Sequence, residues 1–133
     1  MDYIIEQIKN KILKEIDCDA IVLFGSYSRE TQNNESDIDI AFKTKNSISK
    51  KDLFYLQQQL EDISKKDVDL INLDNIGDSF KYEILITGKV LYCKNELEFE
   101  LYKLDVYREF LDLNESRMSI IERIKRGDTI YGK

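Results

Sequence analysis

The stretch Ala20-Ile21-Val22-Leu23-Phe24-Gly25-Ser26-Tyr27-Ser28-Arg29-Glu30, followed after a polar interval by Ser36-Asp37-Ile38-Asp39-Ile40, decides the reading of this chain. Residues 20–24 are a short apolar run, which predicts a buried strand. Gly25-Ser26 breaks that run into a tight turn and the start of a short helix over 25–31, with a polar loop over 32–36. A helix N-terminus presents unbonded backbone N–H groups, here beside a serine hydroxyl, and donors so arranged suit a phosphate. Along the next strand, 37–43, side chains alternate, so Asp37 and Asp39 share one face while Ile38, Ile40 and Phe42 share the other. Two carboxylates that close repel unless a cation lies between them. Oxygen donors next to a phosphate cradle suit Mg²⁺, and the pair of features is the equipment of phosphoryl or nucleotidyl transfer. Taken singly, each has a plain reading: Asp-x-Asp as solvated charges on an edge strand, Gly-Ser as a turn and helix cap. Their combination favours a nucleotide site.

The combination resembles the signature of the DNA polymerase β-like nucleotidyltransferase superfamily: glycine-serine, a spacer, then Asp-x-Asp. The spacer 27–36 and the Phe24-Gly25-Ser26 lead-in are similar to its smallest branch, the minimal nucleotidyltransferases, which are the antitoxins of HEPN/MNT toxin–antitoxin pairs. The resemblance covers about residues 20–93 and implies a third acidic residue on a later strand. Lys66-Asp67-Val68-Asp69-Leu70-Ile71 supplies it. Asp69, with apolar neighbours on both sides, matches the pattern better; Asp67 reads as a solvated strand-end charge.

The resemblance further implies ATP as donor and AMP as the group moved. Asp37 and Asp39 would bind two Mg²⁺ ions, and Asp69 would help hold the catalytic metal and ease deprotonation of an acceptor hydroxyl. Gly25 and Ser26 would hold the phosphates. Arg29, about one helical turn beyond Ser26, either touches the triphosphate or pairs with Glu30 or Glu35. The implied acceptor is a tyrosine of a cognate HEPN toxin, an RNase that AMP transfer neutralises. Where the family often has glycine after the motif arginine, this chain has Glu30, which adds negative charge near the triphosphate.

Composition narrows the alternatives. A chain of 133 residues, 35% charged and 42% hydrophobic, fits one domain over 1–133 with a modest core. It contains no histidine, which removes His-based triads, His proton shuttles and typical catalytic zinc sites. A net charge of −6 argues against direct nucleic-acid binding through backbone electrostatics. No apolar stretch approaches the ~20 residues that span a bilayer, and the N-terminus lacks the regions of a signal peptide. Cys18 and Cys93 belong to no metal-spaced cluster, so free thiols and a cytoplasmic location are expected.

Strands and helices alternate, which predicts an α/β fold: a small mixed sheet with flanking helices and a long C-terminal helix. Helices are expected over 2–16, 49–65 (capped by Ser47 or Ser49) and 76–87 (ending at Gly88). A third strand is expected over 67–71, and a strand or extended tail over 89–93. Lys43, Lys45, Lys50 and Lys51 read as a solvated face. The C-terminal helix, a helical extension over 95–126, carries two apolar stripes on nearly opposite faces. One is Leu97, Leu101, Leu104, Leu111 and Met118; the other is Phe99, Val106, Phe110, Leu113, Ile120 and Ile124. One stripe can pack on the domain, and the other calls for a second chain, in a homo- or hetero-oligomer. The stripe led by Phe99 and Phe110 is the first candidate for that contact. Two other functions share the same site residues: a small-molecule nucleotidyltransferase of the aminoglycoside-modifying kind, and a non-catalytic antitoxin that acts by binding alone.

Overall fold

The computed structural model describes residues 2–25 and 37–114, with side chains for 3–25 and 37–111. In chain order it contains α1 (Asp2–Glu15), β1 (Cys18–Phe24), β2 (Ile38–Thr44), α2 (Lys50–Ser64), β3 (Val68–Asn72), a short 3-10 turn (Leu73–Asn75), α3 (Asp78–Thr87), β4 (Lys89–Cys93) and α4 (Glu96–Asn114). The strands form one mixed sheet in the order β3-β2-β1-β4. β1 runs antiparallel to both β2 and β4, and β2 runs parallel to β3. The expected α/β architecture is therefore present, and residues 89–93 are a strand rather than a tail.

Alternation along the strands divides the core in two. Ile21 and Leu23 of β1, Ile38, Ile40 and Phe42 of β2, and Val68 and Leu70 of β3 face α1 and α2. There they meet Ile5, Ile8, Ile12 and Ile16, which recur at helical spacing, and Leu56 and Leu60. Ala20, Val22, Phe24 and Ala41 point to the other face, under Leu73, Ile84, Leu85, Phe99 and Val106.

Local chemistry sets the helix ends. Of the two serines considered, Ser49 caps α2: its hydroxyl accepts the Asp52 N–H at 3.0 Å. The helix stops at Lys65, which adopts a left-handed φ of 60°. α3 starts at Asp78 rather than 76, because Ile76 and Gly77 remain extended. Gly88 does end α3, yet its φ of −78° is not left-handed. Its lack of a side chain serves close packing, since a Cβ there would strike the Val22 side chain and the Ile84 carbonyl.

α4 corrects one expectation. Phe99 and Val106 are buried in the core under the sheet, and Phe110 stacks on Tyr82 of α3 at 4.2 Å. The stripe first assigned to a second chain therefore packs on the domain, because α4 turns back over α3. The opposite stripe is the open one: Leu97, Leu101 and Leu104 are 69%, 53% and 48% exposed. The predicted helix beyond 114, with Met118, Ile120 and Ile124, lies outside the described residues, as does the side chain of Leu113.

Lys43 departs from a solvated face. It is half-buried, pairs with Asp74 at 3.4 Å and lies over the Tyr102 ring. Lys45, Lys50 and Lys51 are exposed as expected. Cys18 and Cys93 are free thiols. Burial, helped by Asp17 and Asp19, pushes the Cys18 thiol up to about 12, so it stays protonated and unreactive. Among the described residues no helix is long and apolar enough to cross a membrane.

The packing of Gly88 yields a stability prediction. Gly88→Ala places a methyl group against β1 and should lower unfolding stability by about 1–3 kcal/mol, the usual cost of overpacking. Urea denaturation followed by circular dichroism reads this directly; an unchanged midpoint would mean that α3 moves away from β1 at no cost.

Candidate active site

β1 ends at Phe24, and Gly25 turns the chain with a φ of +77°, a conformation that L side chains rarely adopt. A Cβ on Gly25 would fall on the carboxylate of Asp39. Glycine is thus required twice here, for the turn and for the close approach of the backbone to an acidic side chain. Ser26 and Arg29, with Glu30 and Glu35, lie outside the described residues.

β2 carries the acidic pair. Asp37 immediately precedes the strand and is exposed; Asp39 is half-buried within it. The backbone ladder then decides the neighbours of Asp39. Across the antiparallel pairing it lies opposite Phe24, and across the parallel pairing it lies opposite Asp69. Adjacent strands are ~4.8 Å apart, so the two carboxylates sit side by side on the sheet face that α3 and α4 cover. Asp67 is not part of this face-to-face pair. It is exposed before the start of β3, and its carbonyl accepts the Ile38 N–H at 2.9 Å, which seats the entry to β2. Of the two sequence candidates on this segment, Asp69 is the one brought to the site.

Electrostatics single out Asp39. Burial is the main influence raising its pKa above the usual carboxylate range, followed by the negative charges of Asp69 and Asp37. The chemistry of the donor set fits a hard divalent cation such as Mg²⁺, which takes oxygen ligands and would relieve this repulsion. Among the described residues no three acidic, histidine or cysteine side chains already converge tightly enough to enclose an ion.

The structure adds residues that the sequence pattern did not reveal. β3 is an edge strand, and its outer N–H groups are taken up by α2: Val68 donates to Glu61 Oε2 and Leu70 to Gln57 Oε1, both at 3.0 Å. These two bonds bracket Asp69 and hold its strand in register. Gln57 and Glu61 are four residues apart on one helix face, beside the buried Leu56 and Leu60, and that spacing was the available signal. Phe80 of α3 packs edge-to-face on Phe24 with ring centres 5.8 Å apart, yet stays 39% exposed. It forms an aromatic wall next to the Gly25 turn, and nothing in its local sequence marks it.

With this geometry in place, the similarity to known proteins is specific. The sequence matches the family described as Polymerase beta, Nucleotidyltransferase over residues 6–97, more than half of the chain. The chain belongs to that family. It is also 30% identical over 121 residues to the protein adenylyltransferase MntA of Shewanella oneidensis, covering 87% of this chain and 86% of that protein. A crystal structure of a toxin–antitoxin with AMP-PNP contains a chain of the same fold, with a TM-score of 0.78 and 28% identity over 90% of this chain and 97% of that one. A structure of tri-AMPylated Shewanella oneidensis HEPN toxin in complex with MNT antitoxin gives a TM-score of 0.67 and 26% identity, over 90% and 98% of the two chains.

The raised pKa of Asp39 has a pH signature in metal-free protein. Its proton is held more tightly in the folded state, so its contribution to stability falls as pH rises from the unfolded carboxylate value of ~3.9 through the raised folded value. Above that window the full penalty applies; below it there is none. Asp39→Asn should therefore be more stable than the parent chain at neutral pH in EDTA, with the gap closing as pH falls through that window and gone below about 4. Thermal melts across pH test this, and a gap that widens on acidification would contradict the repulsion.

Proposed function

We propose that this chain is an antitoxin nucleotidyltransferase that moves AMP from ATP to a hydroxyl, that of a tyrosine, on a cognate HEPN toxin and so neutralises it. One observation carries the proposal: Asp39 is clamped between the Gly25 turn and Asp69, at the position where the family motif predicts the reacting phosphates. Support comes from the likeness to a protein adenylyltransferase and to toxin–antitoxin structures, one with an ATP analogue and one with an AMPylated toxin. We read residues 1–133 as one nucleotidyltransferase domain that includes α4.

The division of labour that we infer rests on the family motif and on the arrangement of Gly25, Asp39 and Asp69. The Gly25 turn lets the backbone approach the β- and γ-phosphates, and Ser26 adds a hydroxyl donor. Asp37, Asp39 and Asp69 would hold two Mg²⁺ ions, and Arg29 would contact the triphosphate. When bound, the metal supplies charge neutralisation of the triphosphate and a lowered pKa for the acceptor hydroxyl. The tyrosine oxygen then attacks the α-phosphorus in line, a new P–O bond forms, and the bond to pyrophosphate breaks. Asp69, on the edge strand β3, would help hold the catalytic metal and so ease loss of the acceptor's proton. Positioning and charge stabilisation suffice for such a step, so a chain without histidine can perform it.

The small-molecule alternative needs an acidic acceptor pocket at the same place. An acidic cavity of about 490 Å³ does exist, lined by Glu15, Asp17 and Asp52 beside Tyr55. It opens where β1 begins, whereas Asp39 faces the end of β1 at Phe24. At ~3.3 Å per residue the two ends are about 20 Å apart, which favours an acceptor that brings its own recognition surface.

Incubation with labelled ATP, Mg²⁺ and the product of the neighbouring gene, followed by mass spectrometry, tests the proposal. AMP is expected on a tyrosine of that protein, and Asp37→Asn with Asp39→Asn should abolish the transfer. Ser26→Ala should weaken ATP binding about ten-fold, in line with the ~1.5–3 kcal/mol of a hydrogen bond to a charged group. Full transfer by the double aspartate variant would refute the assigned site. Inhibition of the toxin with no label attached would establish an antitoxin that acts by binding alone.

A further inference from the structure

The open face of α4 has a composition that specifies its partner. Leu97, Leu101 and Leu104 are separated by four and three residues, so they line one side of the helix at the spacing of a coiled-coil seam. All three are about half exposed or more, while the opposite side of the same helix, Phe99 and Val106, is buried in the core. The margins of the leucine stripe are acidic. Glu96 and Glu100 flank it on one side and Asp105 and Glu109 on the other, all exposed. The two cations of the helix each pair with one of these carboxylates, Lys103 with Glu100 at 2.8 Å and Arg108 with Asp105 at 2.6 Å. Glu96 and Glu109 have no such ion pair among the described residues, so the margins keep a net negative charge.

We propose that this face docks a partner helix whose apolar stripe is edged by lysine and arginine, and that the helix belongs to the protein that receives AMP. The identity of the helix's owner rests on the function proposed above; the chemistry of the docking face does not. Seam spacing calls for a helical occupant, because leucines in steps of three and four fit between the side chains of another helix. The acidic margins choose the sign of its charge. They also argue against a second copy of this chain, which would bring the same carboxylates against themselves and whose net charge is −6. Docking through α4 would anchor the acceptor protein on the α3–α4 layer, the same sheet face that carries Asp39 and Asp69.

Calorimetry with the purified product of the neighbouring gene tests the inference through two variants of the full chain. Leu101→Ala with Leu104→Ala removes the apolar knobs while keeping a good helix former at both positions. Affinity for the partner should fall at least ten-fold, with ATP affinity and the melting temperature unchanged. Glu96→Lys with Glu109→Lys keeps the leucines and both ion pairs of the helix and inverts the unpaired carboxylates of the margins. It should weaken association several-fold and flatten the dependence on salt. Parental affinity in either variant would overturn the proposal. So would a wild-type dimer that the alanine variant converts to monomer while still binding the neighbouring protein, since the occupant would then be a second copy. Association that depends on this face but yields no AMP transfer would sustain the docking inference and overturn the proposed enzyme. No association by the wild-type chain would overturn both.

Discussion

β2 is hydrogen-bonded along both of its edges, antiparallel to β1 and parallel to β3, and the geometry of the site descends from that double pairing. A strand so held has no freedom of register, because a slip of one residue would turn Ile38, Ile40 and Phe42 out of the core and bring Asp39 in. The same ladder that buries those apolar side chains places Asp39 opposite Phe24 on one side and Asp69 on the other. Asp39 is thereby half-buried and set beside other carboxylates, and burial first, then the charges of Asp69 and Asp37, raise its pKa. The apolar layer formed with α1 and α2 offsets the cost of this placement and keeps the repelling groups where a cation and a triphosphate can use them.

The weak point of such an arrangement is the edge strand. β3 carries Asp69 yet, among the described residues, has a neighbour strand on one side only. Side chains of α2 stand in for the missing strand, with Gln57 and Glu61 accepting the outward N–H groups of Leu70 and Val68. They satisfy the edge, block its pairing with another chain and fix the height of Asp69 beside Asp39. At the other end of the motif, Gly25 keeps the chain turn close to the same carboxylate because it has no side chain to push it away. Site and scaffold are therefore coupled: a loosened α2 or a side chain at position 25 would reach the acidic pair without touching it directly.

α4 links the site to a surface. Its aromatic side closes the second core layer through Phe99, Val106 and the stacking of Phe110 on Tyr82. That leaves its leucine side, bordered by carboxylates, to solvent. A helix that is apolar on two sides can bury only one of them against a four-stranded sheet. The division between interior and interface is set by the direction in which the chain turns after Cys93.

Much of this was written in the local sequence. The isoleucine spacing of α1, the apolar runs of β1 and β2, the capping serine before α2 and the alternation that puts Asp37 and Asp39 opposite Ile38 and Ile40 all follow from period and residue type, which depend on near neighbours. The Gly25-Ser26 and Asp-x-Asp combination was legible in the same way, whereas the preference for Asp69 over Asp67 came from the resemblance to the nucleotidyltransferase pattern, since alternation puts both on one face. Local pattern could not decide which side of α4 is buried, since Phe99 and Leu101 are equally apolar and only the path of the chain across α3 distinguishes them. Nor could it decide that Gly88 serves contact with Val22 rather than a left-handed turn, that Phe80 meets Phe24, or that Gln57 and Glu61 complete an edge strand. Each of those depends on groups far apart in sequence, brought together only when the sheet and helices close over a common core.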